Sequence, residues 1–168
     1  MLPLETPRLR LRHLILADAP YILELVNEPG WLANIGDKQV HDLDGARGYM
    51  EKGPLALYRE HGFGLYLVEL KDSATPVGLC GLIKRDGLAD VDIGYALSSA
   101  YWGRGYALEA AQATLDHARE LGLERLVAIT SRHNDASARL LSRLGMTDEG
   151  LIRLPQDEEQ LRYFAITL

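Results

Sequence analysis

The sequence predicts a single-domain α+β fold, a mixed and mostly antiparallel sheet of six or seven strands with helices on both faces, on the strength of three observations. The alternation at 7–14 (PRLRLRHL) is the period-two signature of a strand with one wet face, and the runs at 64–70 and 77–84 read as two further strands. Short polar turns at 72–76 and 85–87 join the later runs into an antiparallel meander. Residues 91–120 then read as a strand, a glycine-rich loop and a long Ala-rich helix, and 125–130 (RLVAIT) follows as a further strand. Two strands joined through a helix lie parallel or nearly so, with a right-handed crossover, so the helix covers one face of the sheet.

Between the first strand and the hairpin the chain turns helical. Asp18 is placed to cap a helix with Pro20 in its first turn and an apolar stripe of Tyr21, Ile22, Leu25 and Val26, ending at the Pro29-Gly30 break. A second helix starts near Asp42 or Asp44 and runs to Lys52, before Gly53-Pro54. Gly122 caps the long Ala-rich helix. Asn134 caps a later one whose apolar stripe is Ala136, Leu140, Leu141 and Leu144, with Gly145 at its end. Strands at 148–154 and 161–168, separated by the acidic turn 155–160, finish the chain.

Composition narrows the function. A chain of 168 residues with 47% apolar content supports one core. No apolar run approaches the ~20 residues of a membrane span, and MLPLETPRLR lacks a signal core, so a soluble cytoplasmic protein with no membrane partner is expected. The balance of 18 basic against 24 acidic residues argues against a nucleic-acid partner. Cys80, the lone cysteine, excludes an internal disulfide framework and, within VGLCGL, reads as a buried strand residue.

The strand, glycine loop and helix at 91–120 form the kind of junction that binds anions, because the first N–H groups of a helix have no internal acceptor. Two familiar phosphate motifs do not fit. The dinucleotide fingerprint needs a third glycine where Leu108 stands, and no Gly-Lys-Ser/Thr follows the turn. His13, His41, His61, His117 and His133 show no metal-ligand spacing, and there is no Gly-x-Ser-x-Gly elbow, so no metal is expected.

What remains resembles the GNAT superfamily of acetyl-coenzyme A dependent N-acetyltransferases, nearly end to end. The family's coenzyme A motif is Gln or Arg, two residues, Gly, one residue, then Gly or Ala. Here Gly105-Tyr106-Ala107 supplies its end, and Trp102 stands where Gln or Arg is usual. Asn134-Asp135-Ala136-Ser137 followed by Leu140-Leu141 and Leu144-Gly145-Met146 resembles the second motif, whose Asn and Ser flank the cofactor arm. YWGRGYALEA and PRLRLRHL look most like the branch acetylating ribosomal-protein N-termini.

The resemblance implies acetyl-CoA as cosubstrate, no metal, and a primary amine as acceptor, either a protein N-terminus or a small molecule. A homodimer is left open. It also implies a central parallel strand pair that splays apart, the pantetheine arm pairing with the backbone of Tyr95, Ala96 and Leu97. The pyrophosphate would sit on the N–H groups of Gly103, Arg104, Gly105, Tyr106, Ala107 and Leu108, where side chains at 103 and 105 would obstruct approach. Asn134 and Ser137 would flank the arm. Ser137 is either the donor to the departing thiolate or a first-turn capping residue, and both roles can coexist. Many relatives use a Tyr seven residues after the Asn as the acid; that position is Leu141. Asp92 matches a family base, acting directly or through water if burial raises its pKa, and otherwise reads as a solvated strand-end carboxylate. The alternative base position falls on Ile129. The acceptor cleft is expected around Trp31 and His41 in 27–42 and at the turn 155–160, where an aromatic and acidic lining would suit a cationic amine, and Trp102 is expected at the base of the glycine loop. A coenzyme A binding protein that has lost chemistry is the second reading, motivated by the absent Tyr.

Overall fold

Alternation in PRLRLRHL has the structural outcome it demands. Leu9 and Leu11 are buried, while Arg10 and Arg12 leave the opposite side of the strand and converge on Glu69 at 3.3 Å each. The computed structural model describes residues 2–168. Eight strands, β1 (Leu4–Glu5), β2 (Leu9–Arg12), β3 (Leu65–Leu70), β4 (Pro76–Ile83), β5 (Asp92–Leu97), β6 (Arg125–Ser131), β7 (Thr147–Ile152) and β8 (Leu161–Thr167), form one sheet ordered β1-β2-β3-β4-β5-β6-β8-β7. The strand count exceeds the expected six or seven because Leu4–Glu5 adds a two-residue edge strand, too short to show a period. Every pairing is antiparallel except β5 with β6.

Among the described residues six α-helices cover the two faces: α1 (Ala19–Leu25), α2 (Pro29–Asn34), α3 (Leu43–Lys52), α4 (Pro54–His61), α5 (Tyr106–Glu120) and α6 (Asp135–Arg143). Helices α5 and α6 lie on the face that presents Leu9, Tyr66, Cys80 and Ile93. The α5 contact is made by Ala110, Ala111, Thr114 and Ala118, small residues that let helix and sheet approach closely, and Cys80 is fully buried there with its Sγ 3.3 Å from Thr114 Oγ1. The other face presents Leu67 and Leu79 to Ile22, Leu25, Ala46 and Met50 of α1 and α3.

Two helices differ from the sequence reading for one reason. Pro29-Gly30 and Gly53-Pro54 read as breaks, yet Pro29 opens α2 and Pro54 opens α4, each in the first turn. Proline has no N–H to lose there and its fixed φ already suits a helix, so the same residue ends one helix and starts the next. Asp18 stands before α1 but its carboxylate does not cap it. It accepts from Arg12 Nη1 and Nη2 at 3.0 Å and from the Ile15 N–H at 2.9 Å instead.

Candidate active site

Strands β5 and β6 touch at a single register point, Asp92 opposite Val127, where the Val127 N–H bonds the Val91 carbonyl at 3.0 Å. Beyond it they diverge, and a cleft of about 770 Å³ opens between them. One wall is the remainder of β5, and the other is the Ala128 to Thr130 part of β6 together with α6. The start of α5 closes one end, and α2, Tyr49 and Arg85 close the other.

The β5 wall has an ordered set of free polar groups. On its far edge β5 pairs with β4, and the Ser98 N–H donates to the Val77 carbonyl at 2.8 Å. Antiparallel pairing alternates, so the N–H and C=O groups of Gly94 and Ala96 face β4, the Ile93 N–H turns to β6 at the register point, and the groups of Tyr95 and Leu97 face the cleft. The expected backbone role therefore fits Tyr95 and Leu97 and excludes Ala96, which only lines the wall. Trp102 Nε1 donates to the Leu97 carbonyl at 2.8 Å, which leaves the Leu97 N–H as the open group.

At the α5 end, Gly103 and Gly105 both take left-handed φ, +74° and +82°. That conformation turns the chain sharply into the helix and favours glycine over any residue with a Cβ. Among the described residues the N–H groups of 103–108 meet no protein acceptor. A Cβ at 103 would meet nothing within 4 Å, so the space in front of the loop is open. Gly103, Gly105, Tyr106, Ala107 and Leu108 line the cleft. Arg104 does not: its guanidinium lies 5.5 Å over the Tyr101 ring, and its carbonyl accepts from Arg8 Nη1 at 3.0 Å. Arg8 also binds Glu109 of α5 through Nε at 2.7 Å, so a residue remote in sequence braces the loop. An array of unpaired N–H groups at the positive end of a fifteen-residue helix fits a pyrophosphate.

Asn134 caps α6 by accepting from the Ser137 N–H at 3.1 Å. Ser137 sits in the first turn with its Oγ 2.6 Å from the Tyr95 hydroxyl, and all three residues line the cleft. Leu141 is buried and lines the cleft, but its side chain has no proton to give, so the position of the family's usual acid supplies none here. Tyr95 instead brings a phenol to the same region from β5. Burial pushes its pKa up to about 12, against the pull of the Ser137 bond, so it stays a proton donor at neutral pH.

Asp92 is not the solvated strand-end carboxylate of one sequence reading. It is 1% exposed, and burial pushes its pKa up to about 6, against the opposing pull of Arg85. Arg85 Nε donates to both carboxylate oxygens, at 3.0 and 3.1 Å. Trp31 lines this end of the cleft as expected, but His41 is exposed outside it, and the turn 155–160 does not line it: Pro155 packs against Gly87, and Asp157 reaches the site only through its charge on Lys38. Trp102 does not sit at the base of the loop. It is 54% exposed and spans the mouth of the cleft, its ring so close to Gly30 of α2 that a Cβ there would come within 2.6 Å.

Residues 8–147 match the acetyltransferase (GNAT) domain family. The chain belongs to the GNAT acetyltransferases. An uncharacterized N-acetyltransferase of Bacillus licheniformis, p20, is 30% identical over 155 residues, which is 89% of this chain and 85% of that protein. The solved acetyltransferase of Agrobacterium tumefaciens strain C58 has a TM-score of 0.84 at 30% identity, covering 98% of this chain and 94% of its own. RimL, a ribosomal L7/L12 alpha-N-protein acetyltransferase solved in complex with coenzyme A, has a TM-score of 0.82 at 21% identity over 97% and 96% of the two chains. At that identity the likeness speaks to the fold.

In this acetyltransferase the residues that the sequence reading missed are the Tyr95 side chain, Arg8, Lys38, Tyr49 and Arg85. Two had a signal. Period two along β5 places Tyr95 on the same face as Ile93, toward α5 and α6, and the hairpin register of Ile83 opposite Asp92 brings the following Arg85 back to that acid. Arg8, Lys38 and Tyr49 reach the site only through the packing of distant segments.

Proposed function

We propose that this acetyltransferase moves an acetyl group from acetyl-CoA to a primary amine by direct transfer, with both substrates bound together. The observation that carries this reading is the cleft itself: unpaired N–H groups at one end, a buried carboxylate at the other, and a free Leu97 N–H between them. When bound, acetyl-CoA supplies the acyl group already activated as a thioester.

The protein's own residues then have three tasks. The N–H groups of 103–108 and the cleft-facing backbone of Tyr95 and Leu97 hold and orient the cosubstrate, with the Leu97 N–H directed at the acyl oxygen, where negative charge grows. Asp92 accepts the proton of the acceptor ammonium, directly or through one water, so that the free amine attacks. Its raised pKa makes it a better base than an exposed aspartate. The Ser137 hydroxyl donates a hydrogen bond to the departing thiolate, which takes its proton from water, and the Tyr95 hydroxyl, 2.6 Å from Ser137 Oγ, supports that role by donating to the serine oxygen.

Calorimetry with the purified protein is expected to give micromolar acetyl-CoA binding, and a free-thiol assay over a panel of amines and N-terminal peptides to give turnover. No binding would sink the proposal. Tight binding with no turnover on any amine would leave a coenzyme A binding protein without chemistry.

A further inference from the structure

The acceptor end of the cleft presents more donors than the protein satisfies. Arg85 spends one N–H on Asp92, and among the described residues its Nη groups have no acceptor. Lys38, in the segment after α2, and the hydroxyl of Tyr49, on α3, likewise have no acceptor in the protein. All three residues line the cleft beside Asp92. They also stand close enough to feel one another. Crowding of the Lys38 ammonium lowers its pKa even though much of the side chain is exposed, and the Arg85 charge lowers it further. The same Arg85 charge acts on the Tyr49 phenol.

The acids nearby do not balance them. Asp92 is buried behind Arg85, Asp157 acts on Lys38 more weakly than Arg85 does, and Glu28 in the wall accepts from the Ser99 N–H at 2.8 Å. Two cations and a phenol converging on open space, in a protein of net charge −6, form a local site for an oxyanion.

Resting on the acetyltransfer reading, we infer that the natural acceptor is an amine whose own molecule carries a carboxylate or phosphate, held by Arg85, Lys38 and Tyr49 while the amine lies at Asp92. The guanidinium fork matches either oxyanion, and Lys38 and Tyr49 add a point charge and a neutral donor. The arrangement also links recognition to chemistry. An oxyanion on Arg85 weakens that residue's hold on Asp92 and adds negative charge beside it, and both effects make Asp92 more basic.

The test uses three acceptors of equal chain length: an amino carboxylate, its primary amide, and the corresponding aminoalkyl phosphate. Calorimetry with coenzyme A-saturated protein reads their binding without any acetyl transfer. Oxyanionic amines are expected to bind about 10- to 100-fold more tightly than the amide, the worth of one or two charge-assisted hydrogen bonds. Lys38→Gln with Tyr49→Phe should collapse that preference to about threefold or less, and Lys38→Glu should reverse it in favour of a diamine. Tighter binding of the phosphate than of the carboxylate would identify the phosphate as the oxyanion, and the opposite order the carboxylate. Equal binding of amide and oxyanions, or a preference untouched by Lys38→Gln, would overturn the inference and leave acetyl transfer standing. Oxyanion-selective binding with no acetylation of any amine would overturn the acetyltransfer reading alone.

Discussion

At the α5 end of the cleft the groups offered to a ligand are backbone N–H groups from one run of six consecutive residues, 103–108. At the acceptor end they are side chains, Lys38, Tyr49, Arg85 and Asp92, drawn from four separate stretches of chain. The first end depends on the path of the main chain, so most side chains there can vary provided the glycines keep their left-handed turns. At the second end each donor is one residue, so a single substitution changes what is bound. A shared cosubstrate and a divergent acceptor are the natural consequence of that division.

Asp92→Asn should break the comparison most sharply, because it abolishes the base while leaving the backbone cradle intact. Turnover is expected to fall about 10²- to 10⁴-fold, the usual range for a general base, with acetyl-CoA affinity by calorimetry unchanged. The pH profile carries the sign. Below about 6 Asp92 is protonated and cannot take the amine's proton; above it the carboxylate is available. In the parent protein kcat/KM should therefore rise with pH through about 6, and in Asp92→Asn that limb should vanish, leaving only the rise from the acceptor amine itself.

Gly105→Val attacks the opposite end. A β-branched residue held at φ +82°, with a Cβ 3.3 Å from Arg8 Nη2, costs about 1–3 kcal/mol of backbone strain. Because the loop relieves that strain by turning its N–H groups away, acetyl-CoA Kd should rise by about 10- to 100-fold, with kcat at saturation changed far less. An unchanged Kd would show that the N–H array is not the pyrophosphate site.

Tyr95→Phe removes one hydroxyl from the middle of the cleft. Losing a single hydrogen bond of about 0.5–1.5 kcal/mol predicts a kcat reduced by roughly tenfold or less with KM for acetyl-CoA unchanged. Adding Ser137→Ala should then cost less than it does in the parent, since the two hydroxyls act as a unit; full additivity in the double mutant would separate them. Trp102→Phe should have the smallest effect, a few-fold rise in acceptor KM, because it loses the indole bond to the Leu97 carbonyl and the distal ring atoms Cη2 and Cζ2 that lie against Gly30 but no group assigned to the chemistry.

How much of this was legible before folding follows from the same division. Antiparallel order from β3 to β5, the α5 crossover, and the helix ends at Asn134 and Gly122 are local or nearest-neighbour features, written in period, turn residues and caps, whereas the pairing of β2 with β3 spans four helices and was not. Where one residue type serves two local purposes, the reading failed, as at Pro29 and Pro54, which both end and begin helices. Trp102 shows another limit. Its place in the coenzyme A motif was clear, but its partner, Gly30, lies on a segment with no sequence relation to it.

The sequence by itself determined the glycine-loop end of the cleft, because a left-handed glycine turn running into a helix creates unpaired N–H groups wherever it occurs, and both parts lie within one short stretch. Only the tertiary structure decided the acceptor end. Whether Asp92 is exposed or buried, and whether Lys38 and Tyr49 share its cleft, depend on how distant segments pack across the sheet. The physical reason is that a pKa and an electrostatic field are properties of surroundings: the same aspartate in the same strand titrates near its ordinary value in water and near 6 once the helices close over it.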